Sequence, residues 1–306
     1  MRPLLLSAVI AVACIAPCAA QEVMPVLPPP DMASAAVATA DSAAVTPPAT
    51  NSAGLLAALD PVLAGDWRSA GNQARDVYRH PRETLAFFGV RPDQDVIEIW
   101  PSGGWYAEVL APLLRDSGHY TGIIVDPTRE PDADAIRYAE RSNRKLRELL
   151  AAHPAVFDKA VLVETPSAMP VLGPAGSADV VLTFRNVHNW VMDGNEKAMF
   201  KAFFDVLRPG GTLGVVDHRA KPDQPAAEMK TSGYLPEAYV IGLAQAAGFE
   251  LVGKSEINAN PRDTKDYPNG VWTLPPSLSQ KDVDRAKFVA IGESDRMTLR
   301  FVKPAR

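Results

Sequence analysis

Polar residues follow two of the predicted strands and could act on a bound molecule. The catalytic candidates among them are His188, Asp217 and His218. The substrate-binding candidates beside them are Arg185, Asn186 and Trp190. A histidine exchanges a proton near neutral pH, so this group could supply a base, while the Asn186 amide could hydrogen-bond a substrate oxygen. The competing interpretation is structural: these side chains cap a loop and the next helix, support their neighbours or carry surface charge.

A glycine-containing turn follows the first predicted strand and opens a helix. Gly103 and Gly104 let a ligand approach the main chain, and the helix start presents unpaired N–H groups to it. Asp126 ends the next predicted strand 22 residues after Gly104, where its carboxylate could accept both hydroxyls of a ribose. The combination favours a site for an adenosine-type ligand. The alternative is a tight turn with an exposed aspartate, and a dinucleotide site fits less well because G-x-G-x-x-G is missing from the sequence.

Other sequence features argue against several functional classes. The five histidines show no metal-ligand spacing, so a bound metal is not expected. A hydrolase using His188 with Asp217 remains a minor alternative, because the sequence has no G-x-S-x-G nucleophile turn. The net charge is −5 and no block of Lys and Arg stands out, so nucleic acid is not an expected partner.

The elements that must position these residues alternate between strands and helices. Strands are predicted at residues 95–100, 120–125, 156–163, 179–184, 212–216, 249–252 and 297–302. Helices are predicted at residues 55–63, 75–89, 132–150 and 236–247, and one more begins at Asp193, with Glu196 completing a capping box. This alternation predicts an α/β fold with a doubly wound, mainly parallel sheet and helices on both faces. Ligands then bind beyond the carboxyl ends of the strands, where all the candidate residues lie.

The N-terminal residues have the composition of an export signal. Arg2 precedes an apolar run, and small residues at 18–20 offer a cleavage site before Gln21, so residues 1–20 are predicted to be a signal peptide. The alternative is a lipoprotein signal with Cys14 lipidated, which would also give the chain a membrane anchor. Residues 21–53 are rich in Pro and Ala and are predicted to form a disordered linker before the domain at residues 54–306. The expected location is outside the cytosol, in the periplasm.

Residues 93–217 resemble the core of class I S-adenosylmethionine-dependent methyltransferases. The resemblance rests on the glycine turn, on Asp126 and on LRPGG at residues 207–211, which occur in the family's order. Residues 184–188 resemble the loop after strand four in quinone-biosynthesis C-methyltransferases. From about Val77 to Pro304 the chain is similar to a bacterial group of exported predicted methyltransferases. That similarity rests on residues 79–85 (RHPRETL), 98–101 (EIWP), 104–106 (GWY), 185–190 (RNVHNW) and 294–296 (SDR). The resemblance implies a seven-stranded, Rossmann-like sheet with an antiparallel last strand.

The resemblance also implies a cofactor and the residues that hold it. The cofactor is S-adenosylmethionine, and the candidate cofactor-binding residues are Glu98, Trp100, Ser102, Gly103, Gly104, Tyr106 and Asp126. Asp126 corresponds to the ribose-binding acid, and the residues of the turn correspond to the methionine end. Trp100 and Ser102 depart from the family because both stand where it has glycine, and Trp100 could narrow the methionine pocket or exclude the cofactor. Tyr78 is a substrate-binding candidate in a segment, with Arg79 and His80, that is either a lid or a surface helix.

Two hypotheses about function follow from the sequence. The first is an S-adenosylmethionine-dependent methyltransferase acting on an unidentified small molecule. The second is an exported binding protein without enzymatic activity, built on the same fold after loss of the cofactor. The second is motivated by Trp100 and by the predicted export, since the cofactor is made in the cytosol. The sequence determines neither the methyl acceptor nor the oligomeric state.

Overall fold

A computed structural model of the protein describes residues 49–305. The helices are α1 (Ala49–Leu63), α2 (Ala70–Gln73), α3 (Asp76–Arg79), α4 (Pro81–Phe88), α5 (Ala107–Leu114), α6 (Ala133–Ala152), α7 (Pro154–Phe157), α8 (Val187–Asp193), α9 (Glu196–Val206), α10 (Met229–Ser232), α11 (Glu237–Ala246) and α12 (Arg285–Ile291). The strands are β1 (Asp95–Ile99), β2 (His119–Val125), β3 (Val161–Thr165), β4 (Ala178–Phe184), β5 (Leu207–His218), β6 (Glu250–Ser255) and β7 (Arg296–Val302). The predicted signal peptide and most of the predicted linker lie outside the described residues.

The strands form one mixed sheet in the order β3-β2-β1-β4-β5-β7-β6. The pairs among β1 to β5 are parallel, while β7 runs antiparallel to both β5 and β6. The predicted fold class, with its antiparallel last strand, is therefore confirmed. The chain winds outward from β1 to β3 and then returns to place β4 beside β1. The carboxyl ends of β1 and β4 consequently flank the crevice in which such sheets bind ligands.

Apolar side chains from the sheet pack into a separate core on each face. Successive residues of a strand point to opposite faces, so Val96 joins one core and Ile97 joins the other. The first core contains residues of α1, α4, α5, α6 and α7, and the second contains residues of α8, α9 and α11. These two layers fix the helices on both faces and leave the edge between them free for a site. No helix among residues 49–305 is long and apolar enough to cross a membrane.

Several predicted boundaries were wrong. The strand expected at residues 156–163 begins only at Val161, because Pro154 starts the short helix α7, and proline suits the first position of a helix. Asp193 does not start a helix but ends α8, which Gly194 closes with a φ of 75°. The helix expected at residues 75–89 is divided at His80, whose φ is 41° and which precedes Pro81.

Candidate functional site

A cavity of about 590 Å³ lies at the carboxyl edge of the sheet. Its walls come from the end of β2, the first half of α6, the residues after β4 and β5, and residues 271–277. This volume falls in the range that small-molecule sites occupy, roughly 300–1,000 Å³. The cavity therefore stands where the strand order predicts a ligand site.

One end of the cavity holds a histidine that a buried carboxylate orients. His188 lines the cavity, and its Nδ1 lies 2.9 Å from Oδ1 of Asp217, which is fully buried. The backbone N–H groups of Val187 and His218 each donate to Asp217 at 2.7 Å, so both carboxylate oxygens act as acceptors. His188 must then donate its Nδ1–H, which leaves the lone pair on Nε2. The sequence placed these residues on one edge, and the structure joins them through the hydrogen bond between the imidazole and the carboxylate.

A second histidine stands beside this pair. The rings of His188 and His218 are 4.8 Å apart, and Nδ1 of His218 lies 2.5 Å from Oγ of Ser294. Burial lowers the pKa of His218 well below its usual value, and a charge on His188 lowers it further. His218 is therefore neutral at neutral pH. It also lines the cavity, so it can offer a polar ring nitrogen to a ligand.

The two histidines and Asp217 also form a cluster with metal-ligand chemistry. One ligand atom from each of them lies within 4.8 Å of the others. Sequence spacing does not reveal this cluster, because His188 lies in α8 while Asp217 and His218 lie at the end of β5. The oxygens of Asp217 already accept hydrogen bonds from three backbone N–H groups and from the ring of His188, so the arrangement favours proton transfer over metal binding.

Arg185 supplies a cation at the same end of the cavity. Its backbone takes a φ of 63°, and its N–H donates to the carbonyl of Val216 at 2.7 Å. Within residues 49–305 its guanidinium has no hydrogen-bond or ion-pair partner, although it is half-buried and lines the cavity. Burial lowers the pKa of Arg185 to about 10, so the side chain stays charged at neutral pH. Next to it, the Asn186 amide donates to the carbonyl of Ile99 at 2.8 Å and also lines the cavity.

The opposite end of the cavity is acidic and hydroxyl-rich. It is lined by Glu130, Asp134, Ser142, Ser167 and Asp193. Burial raises the pKa of Asp193, and the nearby charge of Glu130 raises it further, so negative charge is concentrated here. These acceptors suit the hydroxyl groups of a ribose. The sequence reasoning did not name Glu130 or Asp134, although both follow β2 within nine residues, between its end and the first turn of α6.

Two residues of the predicted cofactor turn line the cavity. Trp100 and Ser102 have φ values of 49° and 51°, in the left-handed region where glycine is the favoured residue. This conformation explains why glycine would be the less strained residue at these two places. The Trp100 ring packs edge-on against Trp190 at 5.5 Å and lines the cavity, which stays open beside it.

The two glycines of that turn face a helix instead of the cavity. A Cβ atom on Gly103 would lie 3.1 Å from the side chain of Lys145. A Cβ atom on Gly104, whose φ is 88°, would lie 2.6 Å from the side chain of Leu149 and 2.9 Å from that of Leu146. The pair therefore lets the start of α5 pack closely against α6. Their assignment to the cofactor stays a prediction.

The other predicted cofactor residues lie outside the cavity wall. Glu98 is buried and accepts a hydrogen bond from the hydroxyl of Tyr120 at 2.8 Å, while burial raises the pKa of Glu98 to about 8. Tyr106 stacks on Phe184 at 3.5 Å. Asp126 uses Oδ1 to accept from the N–H and the hydroxyl of Thr128, at 2.9 and 2.7 Å.

Tyr78 and Trp190 also lie away from the main cavity. Tyr78 lines a smaller cavity of about 300 Å³ with Glu293 and Ser294. Trp190 is fully buried in the core. The interpretation of this segment as a surface helix with an arginine reaching water is wrong, because Arg79 is only 3% exposed and pairs with Glu293 at 3.2 Å.

Known proteins share the fold of this chain but little of its sequence. No protein-family profile matches it, and no curated protein matches it. A SAM-dependent methyltransferase from Aquifex aeolicus superposes with a TM-score of 0.51 and 13% identity, over 75% of this chain and 93% of that one. The [4+2]-cyclase SpnF superposes with a TM-score of 0.53 and 15% identity, over 83% of this chain and 94% of that one. The chain therefore has a methyltransferase-like fold.

Proposed function

We propose that this protein is an S-adenosylmethionine-dependent methyltransferase that acts on a small molecule. One observation carries the proposal: a single cavity at the crevice of a methyltransferase-like sheet has ribose-type acceptors at one end and an oriented base at the other. The fold alone does not establish the reaction, since SpnF shares the fold and is named as a [4+2]-cyclase.

The residues of the cavity fit this cofactor. Glu130 and Asp134 would accept hydrogen bonds from the ribose hydroxyls, which moves this role from Asp126 to residues that line the cavity. Ser102 and Trp100 would border the methionine end, because they follow β1. When bound, S-adenosylmethionine supplies an electrophilic methyl group. The protein has to exclude water and hold the acceptor atom in line with that group.

His188 would remove the proton that the acceptor has to lose. Its Nε2 carries the lone pair and faces a cavity, while Asp217 fixes the ring and stabilises the imidazolium that forms. Neutral His218 and the amide of Asn186 would hydrogen-bond the acceptor beside it. Such a base serves a hydroxyl, an amine or a carbon acid, and the acceptor atom stays open.

Calorimetry with S-adenosylmethionine and its demethylated product tests the proposal directly. The purified chain should bind both ligands with micromolar affinity, and Glu130→Gln should weaken both. Glu140→Gln is the matched control, because Glu140 is an exposed acid on α6 that does not line the cavity. If the wild-type chain bound neither ligand at millimolar concentration, the proposal would be overturned.

The alternative is a binding protein without enzymatic activity on the same fold. Trp100 motivates it, since this indole stands beside the proposed methionine end. The variant Trp100→Gly separates the two functions. If the variant bound S-adenosylmethionine and the wild-type chain did not, the binding-protein hypothesis would replace the methyltransferase. Comparable binding by both chains would support the methyltransferase.

We also propose that the chain is exported by its first 20 residues and acts in the periplasm. The support is the order of charged, apolar and small residues at the N-terminus. Export would require the cofactor, or a different ligand of the same shape, to be present outside the cytosol.

A further inference from the structure

Buried arginines surround a single carboxylate behind the histidine end of the cavity. Glu293 is 2% exposed and pairs with Arg75 at 2.6 Å, with Arg79 at 3.2 Å and with Arg296 at 2.6 Å. Arg79 and Arg296 are themselves only 3% and 2% exposed. One carboxylate therefore faces three guanidinium groups, two of which are almost fully buried.

The hydrogen bonds of this cluster are incomplete. Within the described part of the chain, Nη2 of Arg75, Nη2 of Arg79 and Nε of Arg296 are buried and have no hydrogen-bond partner. Buried N–H groups normally have one, because leaving them unpaired costs free energy. The nearby acids do not supply it: Glu98 has its pKa raised to about 8 by burial, and Asp217 already accepts from His188.

Arg185 adds a fourth positive charge, at the cavity wall. Burial lowers the pKa of Arg79, and the charge of Arg185 lowers it further. Arg185 itself holds a left-handed backbone at a position where glycine would be less strained. The guanidinium of Arg185, which lines the cavity and has no ion-pair partner among residues 49–305, is therefore placed to pair with an anion there.

Apolar side chains also line the cavity that holds Arg185. They belong to Phe184, Val271, Trp272, Pro275 and Pro276. The ring of Trp272 meets the ring of His188 edge-on at 5.9 Å. An aromatic ring suits such neighbours, and its polar substituents would find His188 and Arg185 in the same cavity.

We propose that the methyl acceptor is a planar, aromatic carboxylate that binds Arg185 through its carboxylate and presents its acceptor atom to His188. This inference rests on the proposed function. A carboxylate could also come from the methionine end of the cofactor, but Arg185 follows β4 and its N–H donates to Val216 of β5, whereas Trp100 and Ser102 of the proposed methionine end follow β1. The acidic end that suits the ribose lies across the cavity, at α6.

Titration of the full chain with 4-hydroxybenzoate and its neutral amide, 4-hydroxybenzamide, tests the inference without any cofactor. The acid should bind more tightly than the amide. Arg185→Gln should weaken the acid by roughly ten- to a hundredfold, because a charge-assisted hydrogen bond is lost, and should leave the amide unchanged. Arg185→Lys keeps the charge but lacks the forked donors, so its affinity for the acid should lie between those of the wild-type chain and of Arg185→Gln. Arg300→Gln is the matched control, a half-buried arginine outside the cavity.

Three outcomes would overturn the inference. The first is that neither compound binds the wild-type chain at millimolar concentration. The second is that Arg185→Gln weakens the binding of acid and amide equally, which would indicate a structural role for Arg185. The third comes from a cofactor titration: if Arg185→Gln weakened S-adenosylmethionine but not 5′-methylthioadenosine, which lacks the carboxylate, Arg185 would serve the cofactor. Acid binding that depends on Arg185 without any cofactor binding would support this inference and contradict the proposed function.

Discussion

His188 can accept a proton at Nε2 only in the tautomer that carries its hydrogen on Nδ1. A hydrogen bond from Nδ1–H to a neighbouring acceptor fixes that tautomer. Asp217 suits that role because the backbone N–H groups around it donate to its carboxylate, so Asp217 acts as a hydrogen-bond acceptor. The two residues are 29 positions apart in the chain: His188 lies in α8, just after β4, and Asp217 lies at the end of the adjacent strand β5. The sheet register therefore creates the pair, and each residue alone would be an ordinary polar side chain.

The first prediction concerns this orientation. Asp217→Asn offers one acceptor oxygen in place of two, so His188 should lose its single tautomer and show a mixture of Nδ1–H and Nε2–H forms. Nitrogen NMR of the ring measures the tautomers without a substrate. The substitution also deprives buried N–H groups of a charged acceptor, and this loss should reduce the free energy of unfolding by about 1–3 kcal/mol.

Asp205→Asn is the control for that substitution, since Asp205 is exposed and should leave both quantities unchanged. An unchanged His188 tautomer in Asp217→Asn would contradict the assigned role. Once an acceptor is known, His188→Ala should slow methyl transfer by roughly 10²–10⁴-fold.

The second prediction concerns Glu98, which is 3% exposed. Burial raises its pKa from 4.5 to about 8 in the folded state. The folded state therefore keeps the proton after the unfolded state has lost it, so the free energy of unfolding falls as the pH rises from about 4.5 to 8. Glu98→Gln removes this pH-dependent loss of stability. The free energy of unfolding of the variant relative to wild type should therefore rise on the order of 3 kcal/mol between pH 4 and pH 7.

Thermal or urea unfolding at several pH values measures this effect. The exposed Glu148→Gln should reproduce the wild-type pH dependence. If Glu98→Gln kept the wild-type pH dependence of stability, Glu98 would be ionised in the folded protein. Any loss of stability with rising pH would then have another origin.

At the scale of elements, the turn between β1 and α5 has two functions that its sequence does not separate. Trp100 and Ser102 turn toward the cavity, whereas Gly103 and Gly104 turn toward α6. The glycines allow α5 and α6 to approach each other, and this approach places the first half of α6 along the cavity. Packing between two helices thus shapes the acidic end of the site.

A substitution at Gly104 tests this interpretation. Gly104→Ala would place a Cβ 2.6 Å from the side chain of Leu149 on a backbone with a φ of 88°. It should destabilise the fold by about 1–3 kcal/mol through overpacking. Gly242→Ala in α11 is the matched control, since a Cβ there meets nothing within 4 Å, and it should stabilise by about 0.5–1 kcal/mol. Thermal unfolding measures both, and equal stability of the two variants would rule out the packing role.

At the scale of the whole molecule, the proposed export by residues 1–20 can be tested. Expression of the full chain in a bacterium should give a periplasmic product whose N-terminus is Gln21, as mass spectrometry can show. The lipoprotein alternative requires Cys14, so Cys14→Ser would then block anchoring and leave unprocessed protein. A full-length cytosolic product would contradict both.

The whole cavity joins segments that lie far apart in the chain. Its wall combines residues after β2 with residues 271–277. The pKa of Arg185, which burial lowers, also responds to the charges of Glu293 and Arg296, more than a hundred positions away. The site is therefore a property of the complete domain, and the Arg185 inference could not have been reached from any one segment.

The sequence alone determined the fold and the edge at which to look for the site. Alternating apolar strands and amphipathic helices are local patterns, and the rule for open sheets turns their order into a location. Local signals failed where one proline or glycine moved a boundary, as at Pro154 and Gly194. The family resemblance drew attention to Trp100, and the backbone angles show why glycine is usual there.

Only the tertiary structure decided which candidates share the cavity. It brought His188, His218 and Arg185 to one end, set Asp217 behind them, and left Glu98, Gly104 and Asp126 outside the wall. The physical reason is that these placements depend on side-chain packing and strand register between distant segments. Sequence spacing carries no information on either, whereas the residues of a single strand or helix are positioned by their own period.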